Sequence, residues 1–193
     1  MNAPKNNIQG KVNLAGRLLQ WLGWKPITTT HFEPRSVVCV APHTSNLDFL
    51  IGYLYYKSLG TGITPRFLIK KEWFFFPFNL IFKALGGLPV DRKSGASSVE
   101  QAIEMLRKAD QLHIAITPEG TRKARERWKT GFYRIAMEAG VPVQLAKIDY
   151  SKKEVGIFLT LPADNPNVDA AVLDIRKHYH SSMAKFPKNF VDL

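Results

Sequence analysis

The chain has 193 residues, 45% of them hydrophobic, and carries 27 Lys and Arg against 16 Asp and Glu, a net charge of +11. That length favours one α/β-sized domain with room for a sizeable core, and the basic balance favours a polyanionic partner: nucleic acid, an anionic membrane surface or phosphorylated substrates. The single cysteine, Cys39, argues against a disulfide framework and fits a reducing cytosol.

The start of the chain leads into no signal-peptide hydrophobic region, so secretion is not expected. Residues 8–24 set Ile8, Val12, Leu14, Ala15, Leu18, Leu19 and Leu22 largely on one helical face, with Lys11, Arg17 and Gln20 elsewhere and Gly23 as a stop. This basic amphipathic helix has two readings: it lies on a membrane, or it docks on the domain. Residues 26–34 read as a linker, which divides the chain into an N-terminal helix with linker, 1–35, and a main domain, 36–193. The apolar run 36–41 reads as a buried strand broken by Pro42, and 49–59 as a helix closed by Gly60. Residues 65–69 form a second strand. An aromatic helix then runs from Trp73 to about Leu85, followed by a short extended piece at 88–90.

Trp73, Phe74, Phe75 and Phe76 stand in a row beside Lys70 and Lys71. The uncharged stretch they open stops at Lys83, short of the roughly 18 residues a spanning helix needs. Aromatics beside cations suit a headgroup region, with the lysines on lipid phosphates; a helix packed into the core is the other reading. Further on, Ser97 and Glu100 have capping-box spacing ahead of a stripe of Val99, Ile103 and Leu106. Residues 112–116, 141–148 and 155–161 read as strands, and 130–140 and 167–184 as helices. This alternation predicts an α/β fold in a single domain, with a mainly parallel sheet flanked by helices.

In such sheets ligands gather beyond the C-terminal ends of strands. Four segments fall there: His43 to Asp48, Lys70 to Glu72, Asp91 with Arg92, and Thr117 to Arg122. Five residues of helix would turn Asp48 about 140° away from His43. The two meet if His43 lies in the loop and Asp48 in the first helical turn. Asp48 then holds one imidazole nitrogen as a donor and leaves the other to accept a proton. Ser45 and Asp48 also have capping-box spacing, so a helix cap is an alternative role for Asp48. Gly120 permits a tight turn whose backbone N–H groups face an anion, and Arg122 adds a fork suited to phosphate or carboxylate. Arg92 brings a second arginine to a strand end, where a solvated pair with Asp91 is the alternative. The basic run from Arg122 to Lys129 suits lipid phosphates, the phosphates of CoA or an acidic carrier protein, or else forms solvated loop surface. His113, His178 and His180 match no metal-ligand pattern and read as structural or surface residues.

Taken together, these segments resemble the conserved blocks of the glycerolipid and lysophospholipid acyltransferase superfamily. Residues 43–48 resemble its first block, a His and an Asp separated by four residues. Residues 86–92 resemble the second, 117–122 the third, a Pro-Glu-Gly-Thr-Arg segment, and 141–143 the start of the fourth. Lys71 and Glu72 with Pro77 resemble the stretch between blocks one and two. Thr117 stands where the family usually has an aromatic, Gln144 and Leu145 where a second proline is common, and Pro89 where a bulkier apolar residue is usual.

The resemblance implies an O-acyltransferase in which His43 is the general base and Asp48 its orienter. Lys71, Arg92, Glu119, Gly120, Thr121 and Arg122 are expected on the substrate side. It implies an acyl-CoA or acyl-carrier-protein donor, no metal and no further cofactor. The acceptor is a membrane lysolipid, with 1-acylglycerol-3-phosphate leading and an amino-acid lipid as the alternative. It also implies a peripheral position at the cytoplasmic face of an anionic membrane, with no nucleic-acid partner. A non-catalytic anionic-lipid-binding protein is the reading from a different class.

Overall fold

The computed structural model describes residues 13–63, 65–90 and 97–193. Its centre is the apolar run that forms strand β2, Arg35–Ala41, where alternate side chains enter two cores. Val37, Cys39 and Ala41 face one side and Val38 the other. Around it lie β1 (Lys25–Thr28), β3 (Pro65–Lys70), β4 (Gly87–Val90), β5 (Leu112–Ile116), β6 (Val143–Asp149) and β7 (Glu154–Leu161). Among the described residues they form one sheet in the order β1-β7-β6-β2-β5-β3-β4. Every pairing is parallel except the β6–β7 hairpin. The expected mainly parallel α/β sheet is therefore the fold observed.

The helices are α1 (Leu14–Trp21), α2 (Leu47–Leu59), α3 (Phe78–Ala84), α4 (Ser98–Lys108), α5 (Gly131–Ala139) and α6 (Val168–Arg176). α4, α5 and α6 cover the face of Val37 and Cys39, burying Leu106, Phe132, Ile135 and Ile175. α1 and α2 cover the opposite face with Leu19, Ile51, Leu54 and Tyr55 against Val38 and Ile148. The Ser97–Glu100 capping box forms in both directions, at 3.2 and 2.5 Å.

Three stretches differ from the sequence reading. The segment read as a linker begins with β1, which pairs with β7, and Pro26 is tolerated there because β1 is an edge strand. A Cβ on Gly156 would lie 1.8 Å from the Ile27 carbonyl oxygen, so only glycine lets these two strands approach. The aromatic segment is a 3-10 turn, Lys71–Trp73, then α3, because Pro77 confines the helix to the residues after it. The last helix stops at Arg176 rather than Ala184. Tyr179 is drawn into the core instead, where its hydroxyl donates to the carbonyls of Cys39 (3.0 Å) and Ala146 (3.3 Å), and 3-10 turns follow.

α1 is docked on the domain. Asn13 caps it by accepting from the Gly16 N–H and donates to the Lys57 carbonyl at the end of α2 (2.7 Å). Leu19 is buried, whereas Leu14 and Trp21 are more than 80% exposed. The part of the expected helix before residue 13 lies outside the described residues.

His113 on β5 locks the entry into β2. Its Nε2–H donates to the Glu33 carbonyl (2.5 Å), its Nδ1 accepts from the Tyr56 hydroxyl (3.1 Å), and Phe32 packs on the ring. Burial pushes its pKa below 6.5, partly offset by the bond to Glu33. As pH falls through 6.5 the unfolded chain takes up a proton that the folded imidazole refuses, so stability falls. His113→Gln removes this linkage. Urea midpoints at about pH 7.5 and 5.5 should therefore fall further for the parent chain than for the variant.

Candidate active site

β2 ends at Ala41 and α2 begins at Leu47, leaving His43 in the loop and Asp48 in the first helical turn. Asp48 is 2% exposed, and its carboxylate is fully engaged. Oδ2 accepts from the Thr44 N–H (2.9 Å), the Ser45 N–H (2.8 Å) and His43 Nδ1 (3.1 Å). Oδ1 accepts from the Tyr150 hydroxyl (2.7 Å). Burial, the largest influence, pushes the Asp48 pKa up, but the bonds from His43, Tyr150 and Ser45 together hold it below the usual range. An ionised carboxylate only accepts, so His43 Nδ1 carries a proton, and in the neutral imidazole Nε2 holds the lone pair. The two roles weighed for Asp48 coexist, because one oxygen tethers the loop N–H groups and orients the imidazole. A reciprocal capping box is not formed: Ser45 Oγ accepts instead from the Leu47 N–H (3.2 Å).

The loop after β5 meets His43 from behind. Glu119 is 5% exposed, and both of its carboxylate oxygens lie within reach of the His43 backbone N–H, at 3.0 and 3.1 Å. Burial pushes its pKa up to about 7, opposed by the His43 contacts. Gly120 turns the chain at φ 65°, and a Cβ there would lie 2.8 Å from Lys129 Cε and Nζ. Arg122 donates to the Asn46 side-chain oxygen and so ties this loop to the His43 loop.

A small cavity of about 300 Å³ is lined by His43, Thr117, Gly120, Thr121 and Arg122. A second, about 810 Å³ and largely apolar, shares His43, Thr117 and Gly120 with it and extends past Phe49, Tyr53, Phe67 and Phe82.

Of the residues singled out in the sequence, the fold thus gathers His43, Asp48, Glu119, Gly120, Thr121 and Arg122. Lys71 lies in the 3-10 turn after β3, exposed and outside the lining of both cavities. Arg92 lies outside the described residues. Among the described residues no group of three or more His, Cys, Asp or Glu is placed to hold a metal ion. Two contacts escaped the sequence reading: Tyr150 on Asp48, and the Phe186 N–H on Thr44 Oγ1 (3.2 Å). No spacing links either pair; only the register of β6 and the return of the C-terminal segment bring them together.

A family model for acyltransferases matches residues 27–146. The chain belongs to the acyltransferase family. As expected from the four blocks, it is an acyltransferase. The fold is similar to the crystal structure of the 1-acyl-sn-glycerophosphate (LPA) acyltransferase PlsC from Thermotoga maritima, with a TM-score of 0.53 at 20% identity. The match covers 83% of this chain and 73% of that one. A search of curated proteins returned no match.

The raised Glu119 pKa has a sign opposite to that of His113. Between pH 4.5 and about 7 the folded acyltransferase retains a proton that the unfolded chain has released, so this group lowers stability as pH rises. Glu119→Gln, which keeps an oxygen for the His43 N–H, removes that slope. The melting temperature of the parent, relative to the variant, should fall across this window in calorimetry.

Proposed function

We propose that this acyltransferase moves a fatty acyl group from an acyl thioester, acyl-CoA or acyl-carrier protein, to a hydroxyl of a lysophospholipid, with 1-acylglycerol-3-phosphate as the leading acceptor. One observation carries the reading: His43, its Nδ1 held by Asp48, lines both a small cavity bearing Arg122 and a large apolar one. The small cavity suits an anionic head group, with the Arg122 fork toward its phosphate and Gly120 and Thr121 beside it. The apolar cavity suits an acyl chain.

His43 Nε2 takes the proton from the acceptor hydroxyl as its oxygen attacks the thioester carbonyl. Asp48 stabilises the imidazolium that forms. Collapse of the tetrahedral adduct breaks the C–S bond, and the proton passes from His43 to the departing thiolate. The products are an ester and a free thiol. Neither an acyl-enzyme nor a metal enters this sequence. Cys39 has no part in it: the side chain is fully buried, and burial pushes its thiol pKa up.

The Thermotoga protein, a 1-acyl-sn-glycerophosphate acyltransferase, supports the phosphate-bearing acceptor. A panel of acyl-CoA and acyl-carrier-protein donors against lysophosphatidic acid, amino-acid lysolipids and other lysolipids, with products separated by chromatography, tests donor and acceptor together. His43→Ala should lower transfer about 1,000-fold while the far-ultraviolet circular dichroism is unchanged. Undiminished transfer by that variant would sink the mechanism.

Phe75, Phe76, Phe78, Leu80 and Ile81 are all exposed around α3, with Lys71 and Lys83 exposed among them. Among the described residues no helix is long and apolar enough to cross a membrane. This patch supports peripheral attachment to an anionic membrane, with the aromatics among the lipid headgroups and the lysines on their phosphates, and we propose the cytoplasmic face as the one it meets. Phe75→Ser with Phe76→Ser should reduce co-sedimentation with phosphatidylglycerol vesicles several-fold. Equal binding by parent and variant would remove α3 as the contact.

A further inference from the structure

Tyr150 lies beyond residue 146, where the family match ends, and its hydroxyl is 2.7 Å from Asp48 Oδ1. The other three donors to Asp48 all go to Oδ2. The phenol is therefore the only donor among the described contacts that reaches Oδ1, and it adds a restraint from the opposite side of the carboxylate. Its own loop places both N–H groups on the other oxygen.

Tyr150 is itself held from three directions. It opens the β6–β7 turn, where Asp149 Oδ1 accepts from the Ser151 N–H, the Lys152 N–H and the Ser151 hydroxyl at 2.6–3.1 Å. Its backbone N–H donates to the Met183 carbonyl (2.8 Å) in the C-terminal segment. Its ring meets Trp24 edge-on at 5.0 Å, and Lys153 Nζ stands 6.0 Å from the ring centre. Three parts of the chain remote from the conserved blocks thus converge on one residue, and its side chain ends on the carboxylate behind His43.

We infer that Tyr150 is a positioning residue for the acyl transfer, holding Asp48 in the rotamer that aims His43 at the acceptor hydroxyl. The phenol touches neither base nor substrate; it acts through Asp48. By donating to Oδ1 it also draws off part of the carboxylate charge that would otherwise stabilise the imidazolium. Burial pushes the phenol pKa up, and the adjoining carboxylate adds to this, so the hydroxyl keeps its proton throughout the working range. Glu119 at the His43 N–H, Arg122 on Asn46 and Lys153 over the phenol ring are the other charged groups around this pair. Each of them is retained when the hydroxyl alone is removed.

The inference rests on His43 being the base. Tyr150→Phe keeps the ring and its packing, and should lower kcat about 10-fold with little change in KM. The acidic limb of its kcat/KM profile should move to higher pH, because a more fully charged carboxylate holds the imidazolium more firmly. In an Asp48→Asn background the same substitution should cost nothing further. Independently of turnover, the proton resonance of His43 Nδ1 should shift in Tyr150→Phe. An equal loss in both backgrounds, or an unmoved acidic limb with an unmoved resonance, would overturn the role. If His43→Ala retained full transfer, the mechanism itself would fail. With His43 essential, an undiminished Tyr150→Phe enzyme overturns this inference alone.

Discussion

A carboxylate removed from water must find its donors in the protein, and the conformation of the loop after β2 follows from how Asp48 does so. Its oxygens take two backbone N–H groups, an imidazole and a phenol. An unpaired carboxylate at this depth would be driven to protonate, and a protonated one would no longer dictate which imidazole nitrogen carries hydrogen. Because the contacts outweigh burial, the charge persists and the tautomer of His43 is set. The helix start and the orientation of the His43 ring are thus two consequences of one buried charge.

Glu119 shows the opposite balance a few ångströms away. It is buried to a similar degree, but its described bonds reduce to one backbone N–H shared between two oxygens, and its pKa rises where that of Asp48 falls. The difference lies in donor count, since both are carboxylates on the same histidine. One grips its ring, the other its backbone, so His43 is fixed at both ends of the residue. Environments that drive two neighbouring carboxylates apart in this way are a mark of sites built for proton transfer.

What could be read from the sequence followed from how local its cause was. Continuous apolar runs such as 36–41 and 112–116 are buried on both faces of a parallel sheet, so their strands were evident without any partner. β1 was hidden because an edge strand with Pro26 and the exposed Lys25 and Thr28 has neither alternation nor an apolar run. The end of α6 was hidden because the apolar stripe continues to Tyr179, and only the carbonyls waiting in the core reveal that this residue leaves the helix. In the site, the spacing of His43 and Asp48 was visible, and so was the turn at Gly120. That a helix cap and an orienter could be the same oxygen was not, since the choice depends on where Thr44 and Ser45 point. Tyr150 gave no signal at all: its place depends on β6, five of whose seven residues run in register beside β2.

The two loops that carry the site are cross-tied rather than merely adjacent. Glu119 accepts from the backbone of His43, and Arg122 donates to Asn46 two residues before Asp48. The Phe186 N–H then fixes Thr44 from a third segment. A displacement of the loop after β5 therefore carries the arginine and the histidine together and preserves their separation. In the proposed chemistry that separation is the distance between the acceptor's anionic group and the hydroxyl being activated. A site tied in this manner tolerates little change in its reacting geometry, whereas the side chains of residues 123–127 are exposed, the run being held instead by Arg176 on the Glu126 carbonyl and by the buried Trp128. Differences in which acceptor is taken are thus more readily built there, and in the depth of the apolar cavity, than in the His43 loop itself.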